Sequence, residues 1–389
     1  MQRSRVCCRI GCRLVLVAAL AGLTYSAARC VGADTAGAGS VDTWPVFRGD
    51  SRSTGAAQSD LPATLDLLWE YRVPDGAFES TPVIMAGVVY IADLDGCLYA
   101  LELATGKERW KKKWETGFTA AAAAGDKRLY LGDIDGLLRC LDIGSGDELW
   151  TYAAEGEISS GVNFYRDNVL FGSQDGSLYC VHAERGTLVW KYTIENQIRC
   201  TPTVVEDRAF VAGCDGALHI VDLTSGRAAG KVDIQAPTGV TPAAAGDRVF
   251  FGTEGHQFFC VDWRQAATVW TFADPERQQP VRSSPAVAGD RVVFGGRSKK
   301  VYCLGSQNGK AVWEFVARQR IDASPVIVKD RVFAAAADGR LYGLDLQTGK
   351  EVWQFEAGGG FTGSPAVAAQ RLVIASDEGV VYCFGSQSQ

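Results

Sequence analysis

The sequence predicts an all-β chain, an eight-bladed β-propeller of four-stranded antiparallel blades, and three observations predict it. A Trp recurs in the fourth apolar run of each repeat: Trp69, Trp110, Trp150, Trp190, Trp270, Trp313 and Trp353 are spaced by 41, 40, 40, 80, 43 and 40 residues, with Gly230 midway along the double step. Between them the text repeats as four short apolar runs cut by turn residues, as in ASPVIVKDRVFAAAADGRLYGLDLQTGKEVWQFE from Ala323 to Glu356. One small twisted sheet buries its faces only against copies of itself, so this period reads as blades rather than a helical solenoid. The two ends also complete each other. LLWEYRV (Leu67–Val73) matches a fourth strand with no first three before it, and Ser364 to Phe384 supplies three strands with no fourth. Pairing them closes the ring and leaves no open edge.

Residues 1–33 hold five arginines and no acid, followed by the apolar run LVLVAALAGL, a layout expected of a cleaved signal peptide. The run is short for a spanning helix, which needs roughly 20 apolar residues, so an uncleaved anchor is the rival reading. Arg29 before Cys30 disfavours a lipid anchor, where a small residue is the rule. Without the leader the chain has 34 basic against 45 acidic residues, a net charge of −11. That balance argues against nucleic-acid and anionic-membrane binding and for a soluble, acidic extracytoplasmic protein. The expected location is the periplasm or cell envelope, free or membrane-associated, and the expected state a monomeric propeller.

Residues 34–66 lack strand pattern and contain WPVFRGDSRSTG; they are expected to form a strap on the outside of the ring, and Arg48-Gly49-Asp50 is too short to mark an adhesion motif. Residues 67–389 form the propeller. Strand A of each blade starts at Thr81, Ala121, Gly161, Thr201, Thr241, Ser284, Ser324 and Ser364, which counts eight blades. Asp-Gly pairs such as Asp95-Gly96 and Asp338-Gly339 suit the tight B–C hairpins, since Gly reaches positive φ without steric cost.

Five cysteines, Cys140, Cys180, Cys260, Cys303 and Cys383, share one repeat position with Ala100, Ile220 and Gly343, which marks a tight apolar core site. Cys200 and Cys214 stand where antiparallel pairing brings them near each other, and a bridge between them is left open. His182, His219 and His256 accompany no nucleophile motif and read as half-buried polar residues; no zinc spacing or phosphate-cradling Gly loop occurs. Asp93, Asp95, Asp133 and Asp135 form two DxD pairs whose simpler reading is turn chemistry rather than a metal. No catalytic residue, metal or cofactor is assigned.

Two positions before each strand A lies a residue expected to line the mouth of the central channel: Glu79, Thr119, Ser159, Arg199, Gly239, Arg282, Asp322 and Thr362. The residue before it is apolar in seven copies and Thr238 in the eighth. Acid gathers on the first blades (Glu79, Asp93, Asp133, Glu157) and base on later ones (Arg199, Arg282, Arg297, Lys299, Arg320), which suggests a surface for a protein or peptide partner.

The consensus SPxVxxxRVYxxxxDGxLYxLDxxTGKxxW resembles the repeat of pyrroloquinoline-quinone (PQQ) propellers from Leu67 onward. The resemblance implies that Trp69, Trp110, Trp150, Trp190, Trp270, Trp313 and Trp353 dock blade on blade. It also implies one of two functions: a quinoprotein dehydrogenase, or a bare binding propeller similar to the BamB outer-membrane assembly factors. The enzyme branch carries an adjacent Cys-Cys pair, a Ca²⁺ site of Glu, Asn and Asp, and long inserted loops. Here the adjacent pair is Cys7-Cys8, in the leader, and every inter-blade loop is short. The binding branch is therefore the expected one, with a minimal quinone- or sugar-acting enzyme as the alternative.

Overall fold

The computed structural model describes residues 42–125 and 127–387; the expected leader lies outside them. The strands form eight four-stranded antiparallel sheets arranged as a ring. In blade one strand A is Val83–Met85, B is Val88–Ala92, C is Cys97–Glu102 and D is Glu108–Lys113. Strands B and C are buried almost throughout because neighbouring blades cover both their faces, whereas D alternates exposed and half-buried residues on the outer wall. That difference is written in the sequence as continuous apolar runs followed by an alternating one.

Blade eight is closed by Asp66–Arg72, which pairs with Val380–Gly385 and sets Trp69 opposite Cys383 and Tyr71 opposite Val381. The strand is offset by one residue from the expected Leu67–Val73. Val73 leaves the ladder and donates its N–H to the Gly379 carbonyl at 2.8 Å.

Seven of the eight blades meet the next through a D-strand Trp. The indole N–H of Trp69 donates to the Leu103 carbonyl (2.9 Å), Trp150 to Ala183 (3.2 Å), Trp190 to Leu223 (3.1 Å), Trp270 to Ser306 (3.1 Å) and Trp313 to Leu346 (2.8 Å). Trp353 has no complete C–D turn ahead of it and donates instead to Leu65, just before the closing strand, at 3.1 Å. The indole faces lie on the glycines of the next C–D turns, where a Cβ at Gly106 would stand 2.7 Å from Trp69 and one at Gly146 2.9 Å from Trp110. Blade four has Gly230 in place of its Trp, and the turn facing it has Ala266 in place of Gly. Ala266 keeps a positive φ of 47°, so at this turn position it is the ring above that excludes a side chain more than the backbone angle. Trp263, from the blade-five side, takes up the vacated space and sits 5.6 Å from the Phe210 ring.

The N-terminal strap does not run outside the ring. It follows the inner edges of the A strands in blade order and closes one end of the channel. Trp44 exchanges two backbone hydrogen bonds with Ile84 at 2.8 Å. The amides of Ala124, Val204, Ala244, Val287 and Ile327 then donate to the carbonyls of Pro45, Ser51, Arg52, Thr54 and Gly55 at 2.7–2.9 Å. Asn163 reaches Ser51 from blade three, and Ser59 receives the Gln370 amide in blade eight. The physical reason is polar satisfaction: the A strands face the channel with free N–H groups, and an extended segment supplies acceptors. Arg48 is 1 % exposed and donates to the carbonyls of Ser324 (3.4 Å), Pro285 (3.2 Å) and Pro325. Full burial lowers its pKa from 12.5 to about 9, with Asp50 pulling the other way, so it is a cation at neutral pH. The Arg-Gly-Asp tripeptide is thus folded inward, with Asp50 accepting from Thr54.

Candidate functional site at the channel mouth

Sealed by the strap at one end, the channel opens at the face built from the D–A and B–C loops. Glu79, Thr119, Ser159, Arg199, Gly239, Arg282, Asp322 and Thr362 line one throat of 190 Å³, with Phe47 of the strap among its walls. Above it a wider depression of 610 Å³ extends over blades three to five and includes Glu157, Gln174, Gln197, Cys214, Pro237 and Glu254. The residue preceding each mouth position is buried in all eight copies, from Phe78 to Phe361. Thr238 fits there because its hydroxyl donates to the Gly252 carbonyl at 2.8 Å and accepts the Val240 amide at 3.0 Å. One position anchors the loop, and its neighbour projects into the opening.

One step deeper, the first residues of the A strands join the blades. The backbone N–H of Gly161 donates to Thr201 Oγ1 (3.0 Å), Thr201 to Thr241 Oγ1 (2.9 Å), Thr241 to Ser284 Oγ (3.1 Å), Ser284 to Ser324 Oγ (2.9 Å), Ser324 to Ser364 Oγ (2.9 Å) and Ser364 to Thr81 Oγ1 (3.0 Å). The belt lapses at Ala121 and Gly161, on the side where Phe47 lies; a Cβ on Gly161 would stand 3.3 Å from the Phe47 Cβ.

The charge map differs from the sequence expectation. Asp93 and Asp133 are fully buried and belong to no surface. Asp93 accepts from the Cys97 amide and the Tyr99 hydroxyl, both at 2.7 Å, and Asp133 holds Arg139 at 2.9 Å. The first Asp of each DxD pair turns inward to stabilise its hairpin, which leaves Asp95 and Asp135 outside. On the basic side Arg282 is paired with Glu254 at 2.7 Å, while Arg297 (3.0 Å) and Arg320 (2.8 Å) share Asp322. Arg199 is exposed and, among the described residues, has an amide partner, Gln197 Oε1 at 2.9 Å, rather than a carboxylate. The opening therefore carries a lone cation at Arg199, a net cation around Asp322, and an exposed Glu79 in blade one.

The remaining reactive groups are structural. Burial pushes the thiols of Cys180, Cys260, Cys303 and Cys383 up to about 12 and that of Cys140 to about 11. Cys200 and Cys214 are free thiols. His219 is 3 % exposed and spans Tyr192 Oη (3.0 Å) and Asp215 Oδ2 (2.9 Å). The residues around the throat do not fit a quinone cofactor with its calcium: among the described residues no two cysteines are adjacent, and no cluster of three metal-ligating side chains occurs.

Sequence comparison with the mouth positions could not have found Phe47, because the strap has a single copy and no register. The hydroxyl belt was legible as the Thr/Ser recurrence at strand-A starts.

A family model described as outer membrane protein assembly factor BamB matches residues 61–134, 94–192, 134–231 and 216–389. Among solved structures, BamB from Moraxella catarrhalis is 18% identical with a TM-score of 0.71, over 84% of this chain and 99% of that one. The computationally designed protein Ika8 is 17% identical with a TM-score of 0.74, over 82% and 99%. The quinohemoprotein alcohol dehydrogenase of Comamonas testosteroni is 14% identical with a TM-score of 0.77, over 90% and 81%. At these identities the likeness is one of fold. No curated protein matches the chain.

Proposed function

The chain belongs to the family described as outer membrane protein assembly factor BamB, and from that premise we propose that it is a non-catalytic, exported scaffold that binds a protein or peptide partner across its channel mouth. The observation that carries this reading is the convergence of eight variable residues on one opening whose supporting neighbours are all buried. A rigid ring with short loops presents such a rim without a lid, as a docking surface requires and a water-excluding active site does not. The same reading places it in the periplasm or cell envelope, where envelope proteins are its partners. Among the described residues no helix is long and apolar enough to cross a membrane.

Reversing Arg199 and Arg282 to Glu tests it. Exposed charges contribute under ~1 kcal/mol to folding but steer partner choice. R199E is expected to leave the melting temperature within a degree or two, whereas R282E also sets two carboxylates against each other at Glu254 and costs somewhat more. Both should weaken capture of a partner from envelope extract, while Trp190→Ala lowers stability and capture together. Unchanged capture by the double reversal at low salt moves the binding surface to the outer walls of the blades; a quinone absorbance in the purified protein would instead favour the dehydrogenase branch.

A further inference from the structure

The hydroxyl belt has an unused half. Thr81, Thr201, Thr241, Ser284, Ser324 and Ser364 each accept a backbone N–H through Oγ, and among the described residues none of the six donates its own hydrogen to a protein acceptor. All six line the 190 Å³ throat. A hydroxyl whose lone pair is taken directs its hydrogen elsewhere, and here the open direction is the channel. Thr119, in the blade whose belt position is Ala121, adds a buried hydroxyl with no partner on the same wall.

A second, independent observation gives the site its sign. The Arg48 guanidinium is buried directly behind this wall, held by the carbonyls of Ser324, Pro285 and Pro325; the Asp50 carboxylate acts on it at longer range without forming an ion pair. Buried charges normally find a counter-charge, since carbonyl dipoles replace hydration only in part. Arg199, from blade four, stands at the entrance. Asp322 and Glu254, the carboxylates nearest the other mouth arginines, are occupied by Arg297, Arg320 and Arg282. Glu79 of blade one also lines the throat, and Phe47 covers the gap in the belt.

We propose that the closed end of the channel is a binding site for a compact oxyanion, held by the converging hydroxyls of blades four to eight and one, with Arg48 behind them and Arg199 at the entrance. Two sources share this chemistry: a free inorganic anion, and a carboxylate carried by a peptide that enters the funnel. The throat's 190 Å³ admits either group.

The test is calorimetric titration of the full chain with inorganic phosphate and, separately, with acetate, at constant ionic strength. One-site saturable binding of at least one of them is expected. Phosphate alone identifies an inorganic ligand, and acetate alone a carboxylate. Ser284→Ala combined with Ser324→Ala should weaken binding at least tenfold, and Arg199→Gln by a few fold. The double variant is expected to fold, because the chain already carries Ala121 and Gly161 at this position, and its melting curve checks that directly. Absence of saturable binding by both anions, or equal affinity in the folded double variant, overturns the proposal. Either result is independent of whether a protein docks on the rim above.

Discussion

The last residue of strand B and the residue facing it from the next blade vary together around the ring. A Cβ on Gly132, Gly172, Gly252 or Gly295 would overlap the γ-carbon of Ile158, Ile198, Val281 or Ile321. Where strand B ends in Ala instead, at Ala92, Ala212, Ala335 and Ala375, the facing position is Phe118, Thr238, Phe361 and Phe78. A β-branched aliphatic side chain directs a methyl at the opposing backbone, and a phenyl group, branching one atom later, leaves room for the alanine. Thr238 faces Ala212 although it is β-branched, so the rule separates the Ile and Val positions from the Phe positions. Gly172→Ala should therefore destabilise by about 1–3 kcal/mol through overpacking. Adding Ile198→Phe should restore most of the loss in a denaturant melt; a double variant no more stable than Gly172→Ala would remove the pairing argument. His219 offers a second residue-scale test. Burial is the main cause of its lowered pKa, against the opposing pull of Asp215. Its folded pKa lies below the unfolded value of 6.5, so its contribution is complete above that pH and is lost as pH falls. Five of the seven equivalent positions are Tyr (Tyr99, Tyr179, Tyr302, Tyr342 and Tyr382), and the Tyr179 hydroxyl donates to its turn carboxylate, Asp175. His219→Tyr should keep that bond and flatten the fall in melting temperature between pH 7 and pH 5. A slope equal to the parent's would assign the acid sensitivity to other groups.

At the scale of the element, the closing strand Asp66–Arg72 contributes more than its length suggests. It satisfies the outer edge of Val380–Gly385, seats Trp69 against Gly106 of blade one, and follows directly on Leu65, which receives the Trp353 indole. Its removal opens two blade junctions at once. Loss of a core Trp alone typically costs ~3–5 kcal/mol, so a chain lacking these seven residues should unfold at far lower denaturant concentration, with a less cooperative transition. A melt matching the parent would show that the ring does not depend on this closure. The closing strand was legible in the sequence because LLWEYRV falls in register with six other D strands. The strap was not, because a segment present once has no copies to reveal which of its residues face inward. Asp93 and Asp133 misled for another reason: sequence gives the charge of a turn residue but not whether its carboxylate folds back on the hairpin amides.

For the whole molecule, the repeat made the blade number, the ring and the mouth residues readable from the period alone, and the closed lower end of the channel became visible only with the strap in place. That strap binds to blades one through eight in turn, although its residues 44–59 precede all of them in the chain. The closing strand likewise waits for residues 380–385. Contacts this distant in sequence form late, since the entropy of the intervening loop is lost before they give anything back. The first part of the ring to be synthesised is thus the last to find its place, and a chain cut short before its final strand leaves the closing strand without its partner. Such a chain exposes unpaired edges and an unclosed core of the kind that chaperones and proteases recognise, so the geometry of the strap makes completion of the polypeptide a condition of its own concealment.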